Sequence, residues 1–173
     1  MWKTVILFSD RKNAVACEIV KILTDHGAGY ISDKSVITGK GDFEVISEYK
    51  KTELDVSDGI AVFIDDSERF SGQRFPHGMV GICEEANRTA LELFMQSGIP
   101  VISCGMNSKN TVTLSSLNSS SLLTSLQRTL TDCGGRTVEP GEFKIKLTKK
   151  YHSFSVMAAA AVLLLNGITP DVF

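Results

Sequence analysis

Three short apolar runs constrain this chain most: VILF at 5–8, GIAVFI at 59–64 and PVISC at 100–104. Each is too short for a helix and lacks the alternation of a half-exposed strand. Such runs fit strands buried on both faces, the hallmark of a parallel sheet covered by helices. The segments between them support this. From Val5 to Gly27 the pattern is strand, turn and amphipathic helix, with Ala16, Ile19, Val20 and Leu23 at helical spacing. Ser9 or Asp10 is suited to cap that helix and Gly27 to stop it. MVGICEEANRTALELFMQSG, 79–98, predicts a second helix in which Cys83, Ala86, Ala90, Leu93 and Phe94 share a face. Gly98 and Pro100 end it. The order β-α-β-α-β favours a mostly parallel sheet flanked by helices. Between the first two units, residues 28–51 predict two short strands around a Gly39-Lys40-Gly41 turn.

Beyond Gly105 the pattern changes. TVTLSSL (111–117) predicts a strand, and the serine-rich LNSSSLLTS (117–125) a loop or turn. A hairpin is predicted around Cys133-Gly134-Gly135. Phe143, Ile145 and Leu147 alternate with Lys144, Lys146 and Thr148, the signature of a half-exposed strand. These elements predict a small antiparallel extension of the sheet. The alanine-rich segment YHSFSVMAAAAVLLLNGI (151–168) predicts a closing helix packed into the core and stopped at Asn166-Gly167. No internal repeat is present, and 173 residues suit a single domain.

Composition narrows the function. The net charge is −2, which gives no overall attraction to nucleic acid or to an anionic membrane. The ten-residue apolar run Val156–Leu165 is too short to span a bilayer, and the amino terminus lacks a signal-peptide core. A cytoplasmic location is expected. Cys17, Cys83, Cys104 and Cys133 form no C-x-x-C pair and no metal-ligand spacing with His26, His77 or His152. They are expected to be reduced structural thiols, with Cys17 and Cys83 on apolar helix faces.

The element order resembles the central, ATP-binding domain of the Mur ligase family, which joins amino acids to cell-wall precursors through an acyl-phosphate. KKYHSFSVMAAAAVLLLNGI resembles the family's G-x-H-N-x-x-N-A-x-A-A helix and its small-residue stop. GIAVFIDDSERF resembles its apolar strand running into paired aspartates, and GIPVISCGMNSKNTVTLSSL the strands beyond. Lys12 falls where the phosphate-loop lysine would stand. The departures are specific. Against the family's G-T-N-G-K-T loop, its two glycines fall on Phe8 and Arg11 and its threonine on Asn13. That loop needs glycine so that its backbone N–H groups can face the phosphates. His152 matches, but the two asparagines after it are Ser153 and Val156. The Mg²⁺-binding glutamate and the carbamylated lysine have no counterpart. The resemblance covers the central domain alone, so the expectation is one domain over 1–173 without the precursor-binding and amino-acid-binding domains.

The resemblance therefore implies a Mur-like fold without ligase chemistry. No cofactor is expected, ATP and Mg²⁺ included. The anion-binding candidates are Ser9, Asp10, Arg11, Lys12, Asn13 and His152. Against this stands the simpler reading of 9–13 as a solvated helix start and of His152 as a structural contact. Asp65 and Asp66 lie at a strand's carboxyl end, where α/β sheets hold ligands. They are weak metal candidates, and helix or turn capping is the competing role. Glu84 and Glu85 are expected in the first turns of a helix, and His77 in a solvated loop. The favoured function is a non-catalytic module that binds a small anionic ligand, regulates, or assembles with itself or another protein. The alternatives are a small phosphate-using enzyme built on Lys12, Asp65, Asp66 and His152, or a structural subunit of an oligomer.

Overall fold

A computed structural model describes residues 4–65, 68–118 and 121–173. In chain order the elements are β1 (Thr4–Phe8), α1 (Ala14–Asp25), β2 (Gly29–Ile31), β3 (Val36–Ile37), β4 (Glu44–Glu48), β5 (Gly59–Phe63) and a 3₁₀ turn (Glu68–Phe70). They continue with β6 (Met79–Glu84), α2 (Arg88–Ser97), β7 (Val101–Gly105), β8 (Val112–Asn118), β9 (Ser121–Leu126), β10 (Leu130–Thr131), β11 (Thr137–Val138), β12 (Gly141–Lys146) and α3 (Ser153–Leu165).

Among the described residues, one sheet runs β12-β9-β8-β7-β6-β5-β1-β4-β2-β3. The strands from β2 to β8 in that order pair parallel, while β3, β9 and β12 pair antiparallel at the two ends. β10 and β11 make a separate small hairpin around the predicted Cys133–Gly135 turn. The mostly parallel α/β sheet with a small antiparallel extension is therefore as the sequence predicted.

The sheet separates two cores. Val5, Leu7, Ile60, Val62, Ile82 and Ile102 face α1 and α3, while Ile6, Phe8, Ala61, Phe63 and Cys83 face α2. α3 packs against α1 and against β6, β7 and β8. Every residue from Phe154 to Leu165 is buried. A helix apolar on all sides belongs in an interior, and four consecutive alanines let its neighbours approach closely.

Several local expectations are corrected. Met79–Glu84 is a central strand between β5 and β7, and only Arg88–Ser97 of the predicted helix is helical. Cys83 is thus a strand residue, and Glu84 and Glu85 stand at a strand end instead of a helix start. Ser121–Leu126, read as a loop, is β9; antiparallel pairing with β8 and β12 satisfies its backbone despite the polar composition. Residues 119 and 120 of that stretch lie outside the described residues. Three strands, not two, occupy 28–51. Their turn is set by contact: a Cβ on Gly39 would stand 2.2 Å from the Gly29 nitrogen, so only glycine fits. Asn13, not Ser9 or Asp10, caps α1 by accepting from the Ala16 N–H. Cys17 is exposed, whereas Cys83 and Cys104 are buried. Burial pushes the Cys83 thiol up to about 12, and that of Cys104 well above its ordinary value.

Candidate functional site

The chain leaves β1 toward β2 on one side of the sheet and leaves β5 toward β6 on the other. Open α/β sheets hold ligands at the carboxyl ends of strands around such a reversal. The five residues Ser9–Asn13 follow β1 there. The Asn13 N–H donates to the Asp10 carbonyl at 3.1 Å, closing a turn, and the Asn13 side chain is spent on the cap. Ser9 is fully buried; its N–H donates to the Glu48 carbonyl and its hydroxyl to the Asp10 carbonyl.

Asp10 is held from two directions. Its Oδ1 accepts from the Arg11 N–H at 2.9 Å and from Arg69 Nη1 at 3.0 Å. The Arg69 hydrogen bond, more than the Arg11 N–H, holds the Asp10 carboxyl below its ordinary range. The other guanidinium nitrogen of Arg69 lies 3.6 Å from Asp65 Oδ2. The connections after β1 and β5 are stitched further by the Ile64 and Asp65 N–H groups, which donate to the Phe8 carbonyl at 2.9 and 3.4 Å. Arg69 thus hydrogen-bonds Asp10 and lies within ion-pair range of Asp65, whose buried Oδ2 has no hydrogen-bond partner among the described residues. Arg11 pairs with Asp33 at 2.6 Å and lies 5.1 Å above the Tyr49 ring. Lys12 is exposed.

The structure links Asp10 to Asp65 through Arg69. Asp66 lies outside the described residues. His152 is joined to α1 by a different route. Its N–H donates to Glu18 Oε2 at 2.9 Å, and the buried Ser155 hydroxyl donates to the same oxygen at 2.6 Å. His152 Nδ1 accepts from the Phe154 N–H at 3.3 Å, capping α3. Glu85 Oε2 accepts from Asn110 Nδ2 at 2.6 Å, and Gly105 leaves room for both side chains. His77 is exposed.

Sequence reasoning missed Arg69 and Glu18. Arg69 stands four residues after Asp65, a spacing that suits an ion pair; Glu18 gave no signal, because its partners lie far along the chain.

The Mur resemblance implies ATP and Mg²⁺, and the residues present do not fit a triphosphate cradle. A cradle of backbone N–H groups uses left-handed residues in the loop, and none of residues 9–13 has a positive φ. Asp10 also sets an ionised carboxylate in that loop. Among the described residues no cluster of three or more metal-ligating side chains is present.

No family model matches the sequence, and no curated protein matches it. The fold is similar to the crystal structure of UDP-N-acetylmuramate:L-alanyl-gamma-D-glutamyl-meso-diaminopimelate ligase from Neisseria meningitides, with a TM-score of 0.55. Identity is 11%; the alignment covers 98% of this chain and 63% of that one, so the chain spans less than two thirds of the ligase. At this identity the likeness establishes a Mur-ligase-like fold and nothing finer. No helix among the described residues is long and apolar enough to cross a membrane.

Proposed function

We propose that this chain is a Mur-ligase-like domain that has lost ligase chemistry and acts as a small-anion-binding module with a regulatory or assembly role. The observation that carries this reading is the Asp10–Arg69–Asp65 bridge. It spends the charges at the strand-end reversal on one another and places a carboxylate where a nucleotide's phosphates would need donors. What remains for an anion is modest. The first N–H groups of α1, at Ala14 and Val15, have no intrahelical acceptor, and the helix dipole favours negative charge there. Lys12 beside them is exposed, whereas Arg11 and Arg69 face carboxylates of their own.

Calorimetric titration with ATP and Mg²⁺ is the direct test. The expected dissociation constant is weaker than about 1 mM, roughly −4 kcal/mol. Micromolar, Mg²⁺-dependent binding would overturn the reading and favour a phosphate-using enzyme. Inorganic phosphate should bind weakly, and Lys12→Ala should weaken it further with the fold intact. If Lys12→Ala changes nothing, residues 9–13 are only a connection.

A further inference from the structure

A second site lies behind the Lys12 loop, on the α1 face of the sheet. α1 packs Ile19, Ile22 and Leu23 into the core, and a cleft remains between its outer face and the sheet edge formed by β4, β2 and β3. The cleft left between them has a volume of about 310 Å³. Its walls are largely apolar, with Ala16 and Val20 from α1 and Ile37 from β3. Tyr30 of β2, Ser47 of β4 and Tyr49 just beyond it supply hydroxyls, and Ser9, Asp10, Arg11 and Asn13 of the loop after β1 line the cleft as well. The Tyr30 hydroxyl and Ser47 Oγ are 3.2 Å apart. Burial pushes the Tyr49 phenol above its ordinary value, so it stays protonated near neutral pH. Arg11 lies over the Tyr49 ring.

The joined pair has a simple hydrogen-bond balance. Two O–H donors that share one bond leave one donor over. The cleft therefore offers a donor to an incoming oxygen. It offers no unmatched charge. Of the ionic side chains on its rim, Asp10 is paired with Arg69, Arg11 with Asp33 and Lys21 with Asp25. A mostly apolar cavity with a few convergent polar groups has the character of a small-molecule site, and this one is at the small end of the range.

The geometry points to a binding site for an uncharged, single-ring molecule carrying one acceptor oxygen, seated between α1 and β2–β4 with that oxygen on the Tyr30–Ser47 hydroxyl pair. The inference goes beyond the anion reading: Lys12 does not line the cleft, although Ser9, Asp10, Arg11 and Asn13 of the same loop do. The ligand differs in charge.

Acetophenone is a suitable probe, and benzoate offers the same ring with a charge. Saturation-transfer NMR on the intact chain should detect acetophenone, with benzoate at least tenfold weaker. Cys17 is exposed on the cleft's rim. Cys17→Trp should fill the mouth and abolish binding while the melting temperature holds. Tyr30→Phe keeps the ring and removes one hydroxyl of the pair, and should weaken binding about fivefold. Three results would overturn the site: no acetophenone binding, binding unchanged in Cys17→Trp, or tighter binding of benzoate. Phosphate binding that depends on Lys12 should be the same in both variants, which separates this test from that of the anion reading.

Discussion

The two faces of the sheet are built from different materials. On one face, aliphatic strand residues meet two helices, and the inner helix, α3, contributes almost no side chain larger than leucine. On the other face a single helix, α2, covers the middle strands, and phenylalanines supply the remaining cover. Phe8 and Phe63 stack at 5.5 Å, Phe63 meets Phe94 edge-on at 6.1 Å, and Phe75 meets Phe94 at 5.0 Å. Phe70 and Phe75 come from the connection between β5 and β6, which has little regular structure. A buried aromatic ring removes a large area from water and locks through its edge-to-face geometry. A few rings on a loop can therefore do part of a helix's work. The aromatic cover has a limit: toward the β3 edge Ile31 and Ile46 are half-buried and Val36 is 76% exposed.

The comparison can be broken by mutation. Ala159 in α3 is fully buried among the aliphatic residues. Ala159→Glu would bury an unpaired charge and should cost about 5 kcal/mol, enough to unfold a domain of ordinary stability. Loss of the cooperative thermal transition is the expected result; a folded variant would mean that this face yields where close packing says it cannot. On the other face Phe94→Ala should cost about 3–5 kcal/mol, since Phe94 touches both Phe63 and Phe75. Urea denaturation should show the loss in midpoint.

A smaller change sharpens the contrast. A Cβ on Gly81 would fall 2.6 Å from the Phe94 ring, so the glycine of β6 exists to admit that ring. Gly81→Ala should cost about 1–3 kcal/mol by overpacking. Combined with Phe94→Leu, part of that cost should be recovered, and a double-mutant cycle measures the coupling. Strict additivity would show that the ring and the glycine are independent.

Acid should act on the two sides with opposite signs. Asp132 anchors the β10–β11 hairpin near the end of α3. Its carboxylate accepts from the N–H groups of Arg136 and Gly134 and from the Arg136 guanidinium. The Arg136 N–H, first among these, lowers its pKa. A lowered carboxyl stabilises the fold above its ordinary pKa, and that stability is lost as pH falls through the lowered value. Glu48, on the aromatic side, is raised by burial, with Lys50 partly offsetting. Its ionised form costs stability, so that cost is relieved as pH falls. Asp132→Asn should flatten the acid-side loss of melting temperature, and Glu48→Gln should remove the opposing gain.

Much of this architecture was legible in the chain. Val5–Phe8, Gly59–Phe63 and Val101–Gly105 are strands because continuous apolar runs of that length can be buried only on two faces. α3 is central because nothing on it can face water. Met79–Glu84 was misread because Cys83, Ala86 and Ala90 mimic a helical stripe, and a short apolar run carries no period of its own. β9 was missed because serine-rich sequence satisfies its backbone only once β8 and β12 lie beside it. In the candidate site, the places of Ser9–Asn13 and of Asp65 at strand ends were legible from the apolar runs before them. Arg69, Glu18 and the Tyr30–Ser47 pair did not follow, because each depends on side chains brought together from separate elements.

The sequence by itself determined the class of fold: alternating apolar runs and helix-spaced stripes leave a covered parallel sheet as the arrangement that buries them. It also determined that the loop after β1 lacks glycine, since composition needs no partner to be read. Only the tertiary structure decided how that loop's charges are used. Ion pairs and hydrogen bonds depend on a few ångströms between residues far apart in the chain, and apolar patterning, which is non-directional, does not encode those distances.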